Sequence, residues 1–373
     1  MRTGALAYHL RTAARMNHAM TARLAVSSSA TESTVPLGGH RAVIAAMRAL
    51  VEHRAGGVLG VVVATTGSTY RKAGALIVLD ANGVRAGALS GGCLEGELEA
   101  RARLVLASGD AADTRFDTNG DEDRVFGSGT GCGGSTRVLL LPLPLGASPL
   151  RDAMLDADAH GVGVQLALAT AADAVGCGEA RVGARASDAS AYRFDGRGAA
   201  RSTSLDPTAT IELSIVAPPR LLLLGAGPET PPLLALTRLL GWRVELLEHR
   251  ERWRRFADHC GLDHVHGDGP DVLPALLART RFDAALVMHH NYHLDARALA
   301  HLAQSDVARI GLLGPAARRD DLLAEIGDET ADRLRPRLHA PVGLRLGGEG
   351  AEAIALAIVA ELQGGFARHV PSS

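Results

Sequence analysis

The run Arg220-Leu221-Leu222-Leu223-Leu224, followed at once by Gly225-Ala226-Gly227, constrains the fold of this chain more than any other stretch. A continuous apolar run of this length predicts a strand that is buried on both faces, as in a parallel sheet. The glycines predict a tight turn, and Thr230 to Leu240 has the apolar spacing of a helix. Further buried strands are predicted at 242–247, 284–288 and 309–314, with a closing helix at 351–362. This alternation predicts a doubly wound, Rossmann-like parallel sheet.

The same glycine turn has the outline of a dinucleotide-binding fingerprint. Gly225 and Gly227 would let phosphates approach a helix N-terminus, and Glu248, at the end of the next strand, would bind a ribose hydroxyl. Thr230 stands in place of the third glycine. The residues therefore leave open whether the crevice binds NAD(P), another ligand or none.

Two polar stretches follow later strands of the same sheet, so they are expected at its carboxyl edge beside the glycine turn. Their side chains would line the crevice, and the arginines would pair with an anionic ligand or lie on a solvated helix face. A metal site formed by His290, His293 and Asp295 is an alternative, although the spacing matches no strong pattern. The proposed crevice residues are His289, Asn291, Tyr292, Arg318 and Arg319.

Residues 40–217 have shorter elements of mixed type and predict an α+β domain. Helices are expected at 42–52, 95–106 and 153–160, and strands at 58–64, 137–141, 162–169 and 211–215. Asn82-Gly83 predicts a hairpin between strands at 75–79 and 84–88, because glycine accepts the positive φ of a tight turn. The weakly patterned residues 171–210 are interpreted as irregular hairpins and a surface insert, and 116–123 as an acidic loop. His264 and His266 are interpreted as a surface feature.

Pro218-Pro219 marks a boundary between two domains. The predicted divisions are a disordered leader or over-long start at 1–39, the α+β domain at 40–217, the Rossmann-like domain at 218–365 and a tail at 366–373.

Glycine-framed cysteines are the main candidates for chemistry. Cys132 lies in Gly127-Ser128-Gly129-Thr130-Gly131-Cys132-Gly133-Gly134, and Cys93 follows Ser90-Gly91-Gly92. Without neighbouring side chains, a ligand can approach both the sulfur and the backbone amides. A third loop, Ser68-Thr69-Tyr70-Arg71-Lys72, offers hydroxyls and two cations suited to a phosphate, unless it is only a basic surface loop.

Composition excludes several classes of protein. Net charge is −2, so no basic excess indicates a nucleic-acid partner, and no stretch approaches the ~18–20 apolar residues that cross a bilayer. The four cysteines form no CxxC pair, which favours a reducing cytoplasm over a disulfide scaffold. Cys177 and Cys260 lack glycine frames and are interpreted as structural or incidental.

Taken together, the motifs resemble those of the XdhC/CoxI family, the accessory proteins of xanthine dehydrogenase and related molybdenum hydroxylases. The likeness runs in order from about residue 40 to 362. It rests on 67–74, 89–96 and 129–134 in the first domain and on 225–228, 288–292, 311–319 and 338–344 in the second. Residues Arg345-Leu346-Gly347-Gly348-Glu349 depart from the segment expected after Gly343-Leu344.

The resemblance implies a cytoplasmic homodimer that binds molybdenum cofactor (molybdopterin), holds it during sulfuration and delivers it to a xanthine dehydrogenase-type enzyme, with contacts to a cysteine desulfurase. It implies a maturation chaperone rather than an enzyme. Cys132, and with it Cys93, would contact the cofactor, with Cys132 near the molybdenum. The implied cofactor-binding set is Cys132, Cys93, Gly131, Gly133, Gly134, Gly91, Gly92, Ser68, Arg71 and Lys72.

Two other functions remain open from the residues. One is an NAD(P)-dependent oxidoreductase that uses the Rossmann-like domain, with His289 and Tyr292 available for proton transfer. The other is a redox sensor that uses Cys93 and Cys132, whose separation along the chain says nothing about their distance in space.

Overall fold

The computed structural model describes residues 39–92, 94–117, 134–169, 171–183, 189–202, 205, 210–258 and 262–366. Within these ranges it contains three β-sheets. Two are antiparallel and belong to the first part of the chain, and the third is parallel and follows residue 219. The α/β class, with a mixed first part and a Rossmann-like second part, is therefore confirmed. The division of the chain at residue 218 stays a prediction.

The first sheet has five antiparallel strands in the order β3-β2-β1-β5-β4. Helix α1 (His40–Glu52) packs on one face and α2 (Glu95–Ser108) on the other, because alternate side chains of the central strand point to opposite faces. Leu59 and Val61 face α1, whereas Val58 and Val62 face α2. The strands are β1 (Gly57–Gly67), β2 (Leu76–Asp80), β3 (Gly83–Gly87), β4 (Ala112–Asp117) and β5 (Gly134–Leu143).

Strand β1 continues to Gly67, into the segment predicted as a loop, because Thr65 and Thr66 pair with Thr136 and Ser135 of β5. Strand β4 was not predicted, since only Thr114 and Phe116 of its six residues are buried. The hairpin at Asn82-Gly83 is confirmed, with φ of 110° at Gly83.

The second sheet has four antiparallel strands in the order β8-β7-β6-β9, with helix α3 (Pro149–His160) packed against it. The strands are β6 (Val164–Ala169), β7 (Gly178–Val182), β8 (Ser190–Phe194) and β9 (Thr210–Ile215). The interpretation of 171–210 as a surface insert is wrong in part, because Ala180, Val182 and Phe194 are buried in the core that this sheet shares with the first one. Small and polar residues hide the strand pattern, and tertiary packing overrides weak propensity.

The third sheet has six parallel strands in the order β12-β11-β10-β13-β14-β15, with helices over both faces. Its strands are β10 (Arg220–Leu224), β11 (Arg243–Leu247), β12 (His264–His266), β13 (Ala284–Val287), β14 (Arg309–Leu312) and β15 (Leu338–His339). Its helices are α4 (Thr230–Leu239), α5 (Glu251–Asp258), α6 (Leu273–Arg279), α7 (Tyr292–Ala303), α8 (Ala316–Ile326), α9 (Asp328–Leu334) and α10 (Ala351–Phe366). The strand order reverses between β10 and β13, which is where such folds form a ligand crevice.

The interpretation of His264 and His266 as a surface feature holds for His264, which is exposed, and is wrong for His266. Its Nε2 lies 2.9 Å from a carboxylate oxygen of the buried Glu245 on the neighbouring strand, and its side chain is 17 % exposed. The pair therefore ties β12 to β11 at the edge of the parallel sheet.

Asp158 at the end of α3 joins the parallel sheet to the first part of the chain. Its carboxylate accepts hydrogen bonds of 2.6 Å from Arg48 of α1 and from Arg243 of β11. Arg41 donates to the Trp242 carbonyl at 2.7 Å across the same junction. None of the described helices is long and apolar enough to cross a membrane.

Candidate functional site

Three glycine-containing loops leave toward one end of the five-stranded sheet. The strand register pairs Gly67 with Gly134, Asp117 with Ser135, and Gly87 with Ile77. Consequently the loop after β1, the connection from β4 to β5 and the loop after β3 all leave toward this end. Gly87 is level with Gly60 of β1 through Ile77, so the loop after β3 begins seven residues, or roughly 23 Å along the strand, before the Gly67 end of β1. Antiparallel pairing therefore places the loop after β1 beside the β4–β5 connection, and the loop after β3 leaves toward the same end of the sheet from a position further back.

Gly134 lies directly against the loop that follows β1. A Cβ atom at this position would come within 2.4 Å of the Ser68 carbonyl oxygen and 2.7 Å of the Thr66 carbonyl oxygen. Thr66 and Ser135 join the same strands through their hydroxyls at 2.8 Å. Glycine is thus required at 134 by the close approach of two backbones, independently of any ligand.

The turn before α2 is held by Ser90 and Glu95. The Ser90 hydroxyl accepts from the amides of Gly92 and Leu94, both at 3.1 Å, and donates to the Glu95 carboxylate. Glu95 also accepts from the Ser90 amide at 3.1 Å. These contacts fix the backbone on both sides of position 93. Neither residue was predicted to have a role, although a serine followed by a glutamate at a helix start signals capping.

Gly91 and Gly92 are exposed in this turn. Gly92 has φ of 110°, which glycine adopts without strain, and a Cβ atom at either position would meet no heavy atom within 4 Å. Gly91 needs neither a positive φ nor a close approach within the described parts of the chain. Among the described residues, its lack of a side chain leaves open space above the turn.

The loop after β1 presents two cations. Lys72 is exposed and its Nζ lies 3.2 Å from the Thr69 hydroxyl, which itself donates to the Arg71 carbonyl. Arg71 is half-buried and forms no ion pair with a described residue. Ser68 is exposed at the start of the loop. The other predicted cofactor-binding residues, Cys93, Gly131, Cys132 and Gly133, lie outside the described residues.

In the parallel sheet, the predicted crevice residues lie around the point where the strand order reverses. Gly225, with φ of 91°, packs on the backbone after β13, since a Cβ atom would come within 2.4 Å of the His289 Cα. His289 Nδ1 lies 3.0 Å from Asp295, whose other oxygen accepts from Arg318 at 2.7 Å. Asp295 and His289 are buried, so the sheet edge holds a hydrogen-bonded His–Asp–Arg chain.

Asn291 and Tyr292 make local structural contacts at the start of α7. The Asn291 side chain caps the helix by accepting from the Leu294 amide at 3.1 Å, and the Tyr292 hydroxyl donates to the Asp321 carbonyl at 2.9 Å. The Arg318 guanidinium carbon lies 5.9 Å from the centre of the Tyr292 ring. Arg319, in contrast, bonds the Ala340 carbonyl next to a cis peptide before Pro341.

Glu248 is fully buried, although the sequence placed it at a ribose. It accepts from the Ala226 amide at 2.8 Å and from the Arg250 guanidinium at 2.7 and 2.9 Å. Burial alone would raise its pKa, but the side-chain and backbone hydrogen bonds from Arg250 outweigh this and hold the pKa below its ordinary value. In this structure both of its oxygens are used within the chain.

A metal site in the described ranges finds no support, because no group of three or more histidine, cysteine, aspartate or glutamate side chains is suitably placed there. In particular, Asp295 turns toward His289 and Arg318 rather than toward His290 and His293.

Comparisons with known proteins agree with this architecture. The model of the XdhC and CoxI family matches residues 41–117, and that of the XdhC Rossmann domain matches residues 221–362. A protein of Bacillus subtilis described as a probable xanthine dehydrogenase subunit is 28 % identical over 337 residues, covering 84 % of this chain and 94 % of its relative. The uncharacterized Escherichia coli protein YqeB is 29 % identical over 148 residues, which is 39 % of this chain and 27 % of that protein.

A solved structure supports the same relationship over most of the chain. The crystal structure of a xanthine dehydrogenase from Bacillus halodurans superposes with a TM-score of 0.72 at 26 % identity, covering 88 % of this chain and 97 % of that one. The matches extend over both the five-stranded sheet and the parallel sheet. The chain belongs to the XdhC and CoxI family.

Proposed function

We propose that this chain is an accessory protein that binds molybdenum cofactor, holds it while its terminal sulfur is installed and delivers it to a xanthine dehydrogenase-type molybdenum hydroxylase. The observation that carries the proposal is that three glycine-containing loops leave toward the same end of the five-stranded sheet, with the loop after β1 directly beside the β4–β5 connection. Family membership and the relatives named as xanthine dehydrogenase proteins support the class of partner.

The chemistry of the described loops fits a phosphate-bearing ligand. Arg71 and Lys72 place two cations on the loop after β1, and the exposed Ser68 begins the same loop. A guanidinium can bind two phosphate oxygens at once, and an ammonium acts as a point charge. These residues would hold the phosphate of the cofactor.

The open space above Gly91 fits a bulky ring system. Nothing in the described chain requires a glycine there, and a ligand that approaches the backbone is a physical reason for one. Ser90 and Glu95 keep the turn rigid, which reduces the ordering cost of binding.

The two thiols complete the proposal. Cys93 follows the rigid turn, and Cys132 belongs to the connection that ends at Gly134. Thiolates are soft ligands suited to a thiophilic metal, so Cys132 would contact the molybdenum end of the cofactor and Cys93 would assist. When bound, the cofactor supplies the oxygen- and sulfur-transfer chemistry of the hydroxylase, and this chain supplies the holding groups.

The remaining parts of the proposal concern the setting. A cysteine desulfurase would supply the sulfur, the chain would act as a homodimer, and the reaction would take place in the cytoplasm. Thiols are kept reduced there, which a thiol-dependent cofactor site requires. Delivery is a protein–protein transfer, so the chain itself need not turn over a substrate.

Cofactor retention tests the thiol role directly. The purified chain is incubated with molybdenum cofactor, separated by gel filtration, and its bound molybdenum is measured per chain. We expect Cys132→Ala to retain about fivefold less, whereas Cys177→Ala, on the turn before β7, matches wild type. Equal retention by wild type and Cys132→Ala would remove the thiol from the proposal. Activation of a cofactor-free hydroxylase by the loaded chain tests delivery.

A second pair of variants tests the space above the turn. Gly91→Leu places a side chain where the described chain has no atoms, so we expect an unchanged melting temperature but at least about tenfold weaker cofactor binding. Gly146→Leu is the matched control, because Gly146 is equally open and lies beyond the opposite end of β5. Equal binding by both variants would contradict the assignment of this edge.

A further inference from the structure

The crevice of the parallel sheet has the glycine turn of a dinucleotide site, yet its hydrogen-bonding capacity is used within the chain. We infer that this Rossmann crevice excludes NAD(P), and that Pro228 and Glu229 are the residues that decide this. The inference goes beyond the proposed function, since it concerns the other sheet and the other ligand class.

A dinucleotide is held at such a turn by free backbone N–H groups at the helix N-terminus, aimed at the pyrophosphate. The turn therefore has to offer amides that are not already bonded. From residue 225 to residue 233, every backbone N–H except one is hydrogen-bonded within the chain, and the prolines have no N–H at all.

The glycine-turn amides are bonded internally. Gly225 donates to the Leu247 carbonyl at 2.9 Å, Ala226 donates to the Glu248 carboxylate at 2.8 Å, and Gly227 donates to the Thr230 hydroxyl at 2.9 Å. The anion that meets this turn is thus the chain's own carboxylate. Arg250 holds it in place by bonding both Glu248 oxygens and the Ala226 carbonyl.

The first turn of α4 has few donors to replace them. Pro228, Pro231 and Pro232 have no N–H, and the amides of Thr230 and Leu233 bond the carbonyls of Gly227 and Glu229. Among residues 225–233, only the Glu229 amide has no hydrogen-bond partner in the described chain. One amide cannot replace the several that a pyrophosphate needs.

That remaining amide belongs to an acidic residue. Glu229 Oε2 is buried and has no hydrogen-bond partner, and the imidazole Nε2 of His290 lies 3.8 Å away. A Cβ atom at Gly227 would come within 2.6 Å of that imidazole nitrogen and 2.9 Å of Glu229 Oε2, so both groups lie over the turn. A phosphate at this place would meet a carboxylate of its own sign and a surface already occupied by the imidazole.

His290 adds an independent sign that the position is already filled. Its φ is 56°, a left-handed conformation that is uncommon for a residue other than glycine. This conformation accompanies the placement of the ring across the glycine turn, where a ligand phosphate would otherwise lie.

The test compares wild type with a double variant that restores one amide and removes the charge, Pro228→Ala/Glu229→Gln. Pro228 is exposed and Glu229 Oε2 has no hydrogen bond to lose, so the fold is expected to survive. NADPH or NADH is added to the protein up to about 1 mM, a range that covers ordinary cofactor affinities, and the fluorescence of the reduced nicotinamide is measured at each concentration. We expect no saturable binding by wild type and binding at least about tenfold tighter by the double variant.

Pro274→Ala/Glu329→Gln is the matched control, since it removes a proline and an exposed acid from the first turns of α6 and α9. It should behave as wild type. Saturable wild-type binding with a Kd below about 100 µM would overturn the inference, as would a folded double variant that gains nothing. Should the double variant not fold, Glu229→Gln alone, which keeps the side-chain shape, must still bind about threefold tighter than wild type.

Discussion

Replacing Asp158 by alanine tests whether one carboxylate fastens the parallel sheet to the first part of the chain. Asp158 is 7 % exposed in its side chain and Arg243 is 13 % exposed, so the pair that they form is buried. Arg48, the second partner, is 53 % exposed. The change therefore breaks one buried and one largely exposed ion pair.

The two partners contribute differently. Removing one member of a buried pair typically destabilises a protein by about 3–5 kcal/mol, because it leaves an uncompensated buried charge. An exposed partner such as Arg48 adds at most about 1 kcal/mol. Arg243 also bonds the backbone carbonyl of residue 158, which alanine keeps. We therefore expect the lower end, about 3 kcal/mol, or on the order of a hundredfold in the folding equilibrium.

Urea unfolding followed by tryptophan fluorescence measures this loss. Trp242 is buried beside the junction, where its carbonyl accepts from Arg41, so its emission reports on the relevant contacts. Glu97→Ala is the control, because its pair with Arg101 is exposed and should contribute less than about 0.5 kcal/mol. A loss below about 1 kcal/mol for Asp158→Ala would refute the reasoning, since the pair would then behave as a surface contact.

Three further predictions concern other parts of the structure. Ser90→Ala removes the acceptor of two turn amides and should lower the free energy of unfolding by about 1–2 kcal/mol in a urea titration; an unchanged midpoint would contradict its capping role. Burial lowers the pKa of His40, so the unfolded chain takes up a proton first and stability should fall as pH drops below about 6.5. His40→Gln should flatten that decline between about pH 7.5 and 5.5, and an identical decline would assign it to another group. Asp295→Ala leaves Arg318 and a buried histidine unpaired and should cost about 3 kcal/mol by the same titration, whereas a loss under about 1 kcal/mol would show that water replaces the carboxylate.

The parallel sheet was predictable because each of its main strands is buried on both faces. Such strands appear in the sequence as unbroken apolar runs, as at Leu221–Leu224, and the helices between them keep their own period. The predicted bounds of β10, β13 and α4 agree with those of the structure to within one residue.

The second sheet was less predictable for the opposite reason. Residues 178–182 and 190–194 include glycine, alanine and serine, and their strand character depends on the partner strands and the shared core. Propensity on a half-buried strand reflects packing against neighbours, which no short window of sequence contains.

The candidate site shows the same division. Glycine and cation motifs in three separate loops indicated a ligand, and composition gave no indication of a nucleic-acid or membrane partner. That these loops leave toward the same end of the sheet follows from pairings such as Gly67 with Gly134, which link residues far apart in the chain. Sequence position alone could not supply that arrangement.

The glycine fingerprint shows most clearly how far the sequence alone could predict ligand binding. Gly225, Gly227 and Glu248 correctly indicated a Rossmann turn, because the local backbone demands glycine and the strand pattern is regular. Burial and the hydrogen bonds from Arg250 decide the direction of the Glu248 carboxylate. Glu229 and His290 lie over the turn because two different loops come into contact there. The sequence by itself determined the local backbone, while tertiary packing decided which hydrogen-bonding groups remained free, since a donor is used or left open only once its spatial neighbours are in place.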